Sequence, residues 1–170
     1  MKLKPLQTAA IACLGVLLLT ACASRSPEHV IYLVRHGETV DAAGDRPLSP
    51  AGHARARWLA DYFADRNLDA VYSTPLNRAR QTAEPTADRE RLDITSYNGR
   101  DLASLAQTLK SRGGRALVSG HSNTTPALAN LLLGDERFSE FDHDEYSLIL
   151  VLTGADDGYL VRVERSELQP

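Results

Sequence analysis

Val30-Ile31-Tyr32-Leu33-Val34-Arg35-His36-Gly37-Glu38-Thr39 begins with five apolar residues in a row and turns to charge at Arg35. A strand solvated on one side alternates, whereas an unbroken apolar run is expected of a strand buried on both faces. Ser49-Pro50 follows as a helix start, an N-cap serine with proline in the first turn. Ala54, Trp58, Leu59, Tyr62 and Phe63 then recur at helical spacing up to about Asp65. Further along, Asp69 to Ser73 reads as a strand. Leu76 through Ala87 reads as a helix with Pro85 as a kink or stop. Leu92-Asp93-Ile94-Thr95 is a weaker strand, and Asp101 to Arg112 a helix halted by Gly113-Gly114. Ala116 to Ser119 is a third clear strand, and Pro126 to Leu133 an apolar helix ended by Gly134. Tyr146 to Leu152 and Tyr159 to Val163 read as a hairpin around residues 153–158. Strands alternating with helices predict one three-layer α/β/α domain with a mostly parallel central sheet.

Ligands of such sheets bind beyond the carboxyl ends of the strands. Three strands end on suitable chemistry: Arg35-His36 after the first, Arg78 in Ser73-Thr74-Pro75-Leu76-Asn77-Arg78 after the second, and Gly120-His121-Ser122 after the fourth. Two arginines and two histidines converging on one crevice predict an oxyanion site, because the arginine fork matches a phosphoryl group in two-point contacts. Glu38 is read as a salt-bridge partner, His53 as a surface residue and Trp58 as core. His143, in Asp142-His143-Asp144-Glu145, lacks the spacing of a metal ligand.

These segments resemble the histidine phosphatase (phosphoglycerate mutase-like) superfamily, in its short bacterial branch. Arg35-His36-Gly37-Glu38-Thr39 is similar to its Arg-His-Gly signature. Pro47-Leu48-Ser49-Pro50-Ala51-Gly52-His53-Ala54-Arg55-Ala56 is similar to its helix start, with Arg55 where the family has glutamine. The segments Ser73–Ala83 and Gly120–Asn123 resemble those carrying the second arginine and second histidine. The resemblance implies that His36 attacks phosphorus and becomes a phosphohistidine, its other nitrogen held by a carbonyl such as that of Gly37. Arg35, Arg78 and His121 would hold the phosphoryl oxygens, with Asn123 as a further phosphate donor. It implies a phosphatase that uses no metal and no cofactor. A glutamate or aspartate acts as leaving-group acid in many members. Here Asp101 is the nearest candidate, and Asp101 also suits the N-cap of the next helix.

The N-terminus says where such a domain works. Met1-Lys2-Leu3-Lys4, an apolar run from Thr8 through Leu19, and Leu19-Thr20-Ala21-Cys22 read as a signal peptide over residues 1–21. The tetrapeptide resembles a bacterial lipobox, so Cys22 would carry the lipid, residues 22–29 would be a tether, and residues 30–170 the domain. Cys13 lies in the signal, so the mature domain would hold no disulfide. Cleavage before Cys22 also removes Lys2 and Lys4, leaving 17 basic against 22 acidic residues, which argues against nucleic acid as a partner. The expected partners are a bilayer, through the lipid, and a small phosphorylated substrate or phosphorylated envelope glycan. Ala23 resembles the sorting signal for the outer membrane, giving an expected location on its periplasmic face. A phosphoglycerate mutase fits less well, since the mature length leaves little room for segments that close over the substrate. The non-enzymatic alternative is an envelope lipoprotein that binds phosphate or an anionic glycan on the same scaffold.

Overall fold

The computed structural model describes residues 29–155 and 158–168. The signal-peptide and lipobox readings lie outside the described residues. Six strands, β1 (Val30–Arg35), β2 (Ala70–Ser73), β3 (Ile94–Ser96), β4 (Arg115–Gly120), β5 (Leu148–Ala155) and β6 (Gly158–Arg165), form one sheet in the order β3-β2-β4-β1-β5-β6. The first four run parallel, and β5 and β6 join as an antiparallel hairpin on β1. The helices are α1 (Pro50–Phe63), α2 (Asn77–Glu90), α3 (Leu102–Arg112) and α4 (Thr124–Leu133).

β1 is buried at all six positions, its five apolar residues and Arg35, because both faces of the sheet are covered. Tyr32 and Val34 face Leu59 and Phe63 of α1 and Ala83 and Ala87 of α2. Ile31 and Leu33 face Leu105 and Leu109 of α3 and Leu128 and Leu132 of α4. Three layers follow, as the alternation of strands and helices predicts. Fully burying a side chain such as Phe63 or Leu109, 0% and 1% exposed, contributes roughly 1.5–3 kcal/mol.

Local signals set most boundaries. Ser49 Oγ accepts from Gly52 N (3.2 Å) with Pro50 at the helix start, and Gly134 ends α4 in a left-handed conformation. Pro85 does not stop α2, which continues to Glu90 and ends at left-handed Arg91. Ala79, Thr82 and Ala83 before the proline and Thr86 and Ala87 after it are all buried. Packing on both sides of the proline outweighs the one missing N–H. The hairpin is also tighter than expected, with pairing as far as Ala155↔Gly158. His29, assigned to the tether, is instead docked on the sheet. Its carbonyl accepts from Gly154 N (2.7 Å), and its ring meets Tyr159 edge-on with centroids 5.2 Å apart.

Candidate functional site

Strand register builds the site. β1 and β4 are adjacent and parallel with Arg35 opposite Gly120, so His36 and His121 leave the sheet side by side. Their rings meet edge-on with centroids 5.3 Å apart. β2 pairs with the other edge of β4, Ser73 opposite Ser119, which brings Thr74 and the start of α2 with Arg78 to the same end. A cleft of about 880 Å³ opens there, lined by His36, Thr74, Arg78, His121, Asn123 and Glu140 among others. That is far more space than a phosphoryl group fills.

His36 is oriented by main chain. Nδ1 lies 2.7 Å from Gly37 O, the carbonyl bond expected from the sequence. A carbonyl only accepts, so Nδ1 carries the proton and Nε2 keeps its lone pair. Gly37 N in turn donates to Thr82 Oγ1 (2.9 Å), which donates to Arg78 O (2.7 Å), so α2 braces both the histidine turn and the arginine. His121 is set by His121 N donating to Thr124 Oγ1 (2.9 Å) and by Thr74 Oγ1 at 2.9 Å from Nε2. Burial lowers the His36 pKa to about 3, and the positive charges of Arg35 and Arg78 with His121 add to that effect against the Gly37 bond. Burial lowers His121 to about 4, assisted by Arg78 and Arg35 and opposed by Asp45. Both rings are therefore neutral near pH 7.

Arg78 lines the cleft, with Asp45 3.8 Å from Nη1. Arg35 is more deeply placed, 6% exposed and outside the cleft lining. Its Nη1 donates to Asp142 O (2.9 Å) and Glu145 O (3.0 Å), and its guanidinium lies 4.1 Å over the Tyr146 ring. Arg35 Nε and His121 Nδ1 are buried without a hydrogen-bond partner. Unpaired buried polar atoms cost about 1–3 kcal/mol each. An anion seated beside them would offset that cost.

Asp101 serves the helix. Its carboxylate accepts from Ser104 N (3.1 Å) at the N-cap of α3, and it borders a separate, smaller cavity rather than the His36 cleft. Asn123 lies at the start of α4, exposed on the cleft with no side-chain capping bond. Glu38 is taken up by Arg55, 4% exposed, which donates from Nε at 3.2 and 3.1 Å and from Nη2 at 2.5 Å. No local signal marks Thr74, Thr82, Tyr146 or Glu140 as site residues. The last two come from a segment more than a hundred residues from His36.

Gly52 explains the glycine of the helix-start motif. A Cβ there would lie 2.2 Å from Glu38 O and 3.0 Å from Glu38 N, so α1 can approach the histidine turn only with glycine. A Cβ on Gly37 would meet the same contact from the other side, 3.0 Å from Gly52 Cα.

Three of the four side chains expected from the sequence, His36, Arg78 and His121, thus line one cleft of an α/β domain, and Arg35 lies behind it. Residues 31–101, which carry Arg35, His36 and Arg78, match the Histidine phosphatase superfamily (branch 1). Over that segment the chain is similar to the superfamily and to phosphoglycerate mutase-like relatives. One relative is the Uncharacterized protein Rv0525 of Mycobacterium tuberculosis, 39% identical over 74 residues, covering 39% of this chain and 37% of that one. Another is the Probable phosphoglycerate mutase GpmB of Enterobacter sp., 34% identical over 71 residues, covering 38% and 33%. The matches thus span about a third of the curated relatives. Among solved structures, the protein histidine phosphatase SixA complexed with tungstate superposes with TM-score 0.64 at 22% identity, over 80% of this chain and 96% of that one. Mycobacterial glucosyl-3-phosphoglycerate phosphatase Rv2419c gives 0.65 at 15% identity, over 81% and 98%. At these identities the structural likeness establishes the fold.

Proposed function

We propose that the protein is a phosphatase that works through a phosphohistidine on His36, anchored in the cell envelope by a lipid on Cys22. The observation that carries the catalytic part is the Gly37 carbonyl on His36 Nδ1, which leaves Nε2 as the unprotonated nitrogen in a cleft shared with Arg78 and His121. A neutral imidazole is a competent nucleophile, and a pKa of about 3 keeps it neutral across the physiological range. In this reading Nε2 attacks phosphorus in line with the leaving group. Arg78 and His121, with Arg35 behind them, stabilise the charge on the equatorial oxygens. The compensating positive charge comes from the Arg35 and Arg78 side chains, so the reading calls for no metal and no cofactor. Water then hydrolyses the phosphohistidine.

The cleft leaves room for a leaving group well beyond the phosphoryl end. Phosphohistidine, acyl phosphates and sugar phosphates, including those of an envelope glycan, are the substrate classes to separate. The superposing proteins carry names from both ends of that range. The envelope location rests on the sequence of residues 1–23 alone.

The test is phosphate release by the purified protein, in EDTA, from an aryl phosphate, sugar phosphates, an acyl phosphate and a phosphohistidine protein. Turnover should survive EDTA and disappear in His36→Ala, with acid-labile phosphate trapped on the wild type after rapid quenching. If wild type and His36→Ala bind phosphate alike and neither turns over, the protein is a binding lipoprotein instead.

A further inference from the structure

Of the residues lining the cleft, one carries a carboxylate, Glu140. We propose that Glu140 is the proton-transfer residue of this site, an inference that rests on the phosphatase reading. Nearby acids are otherwise engaged. Glu38 is held by Arg55, Asp45 accepts from Asn77 N (2.9 and 3.1 Å) at the start of α2, and Asp101 caps α3.

Glu140 is held by the strand ends that carry the two histidines. Its Oε1 accepts from Ser122 Oγ (2.9 Å), the residue after His121, and the following Phe141 N donates to Ser122 O (2.9 Å). Two residues further, Asp142 O accepts from Arg35 Nη1, next to His36. The carboxylate is thus held at the cleft by its own bond from Ser122 Oγ, by the main-chain bond at Phe141 and by the Arg35 bond to Asp142 O. A serine hydroxyl that rotates freely can follow the carboxyl through gain and loss of a proton.

The chemistry balances. His36 Nε2 forms the P–N bond as the P–O bond to the leaving group breaks, and the departing oxygen takes the proton of the Glu140 carboxyl. Water then attacks phosphorus and gives its proton to the Glu140 carboxylate. The P–N bond breaks, its electron pair returns to Nε2, and the carboxyl is restored. Because the residue lies beyond the second histidine, the stretch between second arginine and second histidine need not supply an acid.

The experiment compares wild type, Glu140→Gln, Glu140→Asp and His36→Ala on p-nitrophenyl, phenyl and glycerol phosphates. Proton donation typically contributes 10²–10⁴-fold, so the Glu140→Gln loss in kcat should rise from under ~3-fold on p-nitrophenyl phosphate to ~10²-fold or more on glycerol phosphate. Glu140→Asp should recover part of the glycerol phosphate rate. Since Glu140 is exposed, the thermal midpoint of Glu140→Gln should match wild type. A loss of equal size on all three substrates, or none, overturns the proposal while phosphatase activity that needs His36 stands. If wild type releases no phosphate, the phosphatase reading falls and this inference with it.

Discussion

Truncating Arg55 to alanine should destabilise the protein by an amount the structure allows to be worked out. The residue is 4% exposed and its guanidinium is engaged at all three nitrogens, with Nε and Nη2 on the Glu38 carboxylate and Nη1 on Ser166 Oγ. The Glu38 side chain is itself only 18% exposed. Arg55→Ala strands that carboxylate in a half-buried site, and breaking one side of such a pair costs about 3–5 kcal/mol. For a domain of this size each kcal/mol lowers Tm by ~2–4 °C, so the midpoint should fall by roughly 6–20 °C. Pairing Arg55→Met with Glu38→Leu should return most of the loss, since the desolvation cost disappears along with the attraction. The assay is urea denaturation of the two single variants and the double variant, repeated from pH 7 to pH 3. Burial alone would raise the Glu38 pKa, but the Arg55 hydrogen bonds and charge bring it below the usual carboxylate range. The stability it contributes is full above the unfolded value of about 4.3 and is lost as pH falls through the lower folded value. That acid-dependent component should vanish in Arg55→Ala. A loss under ~1 kcal/mol, the scale of a solvated surface pair, would refute the reasoning.

Two further outcomes follow from the same turn and its histidine. Gly52→Ala sets a Cβ against main chain that has no rotamer to yield, so the histidine turn must shift. A stability loss of about 1–3 kcal/mol is expected, with weakened orthovanadate binding as the turn that carries Gly37 O moves; unchanged vanadate affinity would count against the turn's role. The depressed His36 and His121 values, about 3 and about 4, mean that the unfolded chain binds protons below pH ~6.5 that the folded chain declines. Stability should therefore fall as pH drops from ~6.5 toward 4, and His36→Ala should make that fall shallower. In kcat/KM the acid limb should lie below pH 5; a midpoint near 6.5 would show an unperturbed nucleophile.

Much of this was open to reading because its causes are local. The run Val30–Val34 is apolar at every position, which suits a strand covered on both faces, and Ser49-Pro50 and Gly113-Gly114 carry the cap and stop chemistry of their helices. Strands ending on Arg35-His36 and Gly120-His121 place histidines at the sheet's carboxyl edge once the strands are parallel. Even the Gly37 carbonyl on His36 is a contact between sequence neighbours.

Tertiary structure alone decided what distance in the chain conceals. Whether His36 and His121 would meet depended on β4 lying next to β1, a pairing between segments about eighty residues apart. The two uses open to Asp101 were separated by where α3 docks, which turns the carboxylate to Ser104 N. Pro85 in α2 was settled by buried contacts on both of its flanks, and His29 by Tyr159 and Gly154 of the distant hairpin. Glu140 and Tyr146 reach the site because Arg35 and Ser122 gather the loop before β5 by its carbonyls and amides. Periodicity, caps and turns are written in neighbouring side chains, whereas a site assembled by main-chain bonds across a hundred residues leaves no mark on any short stretch of sequence.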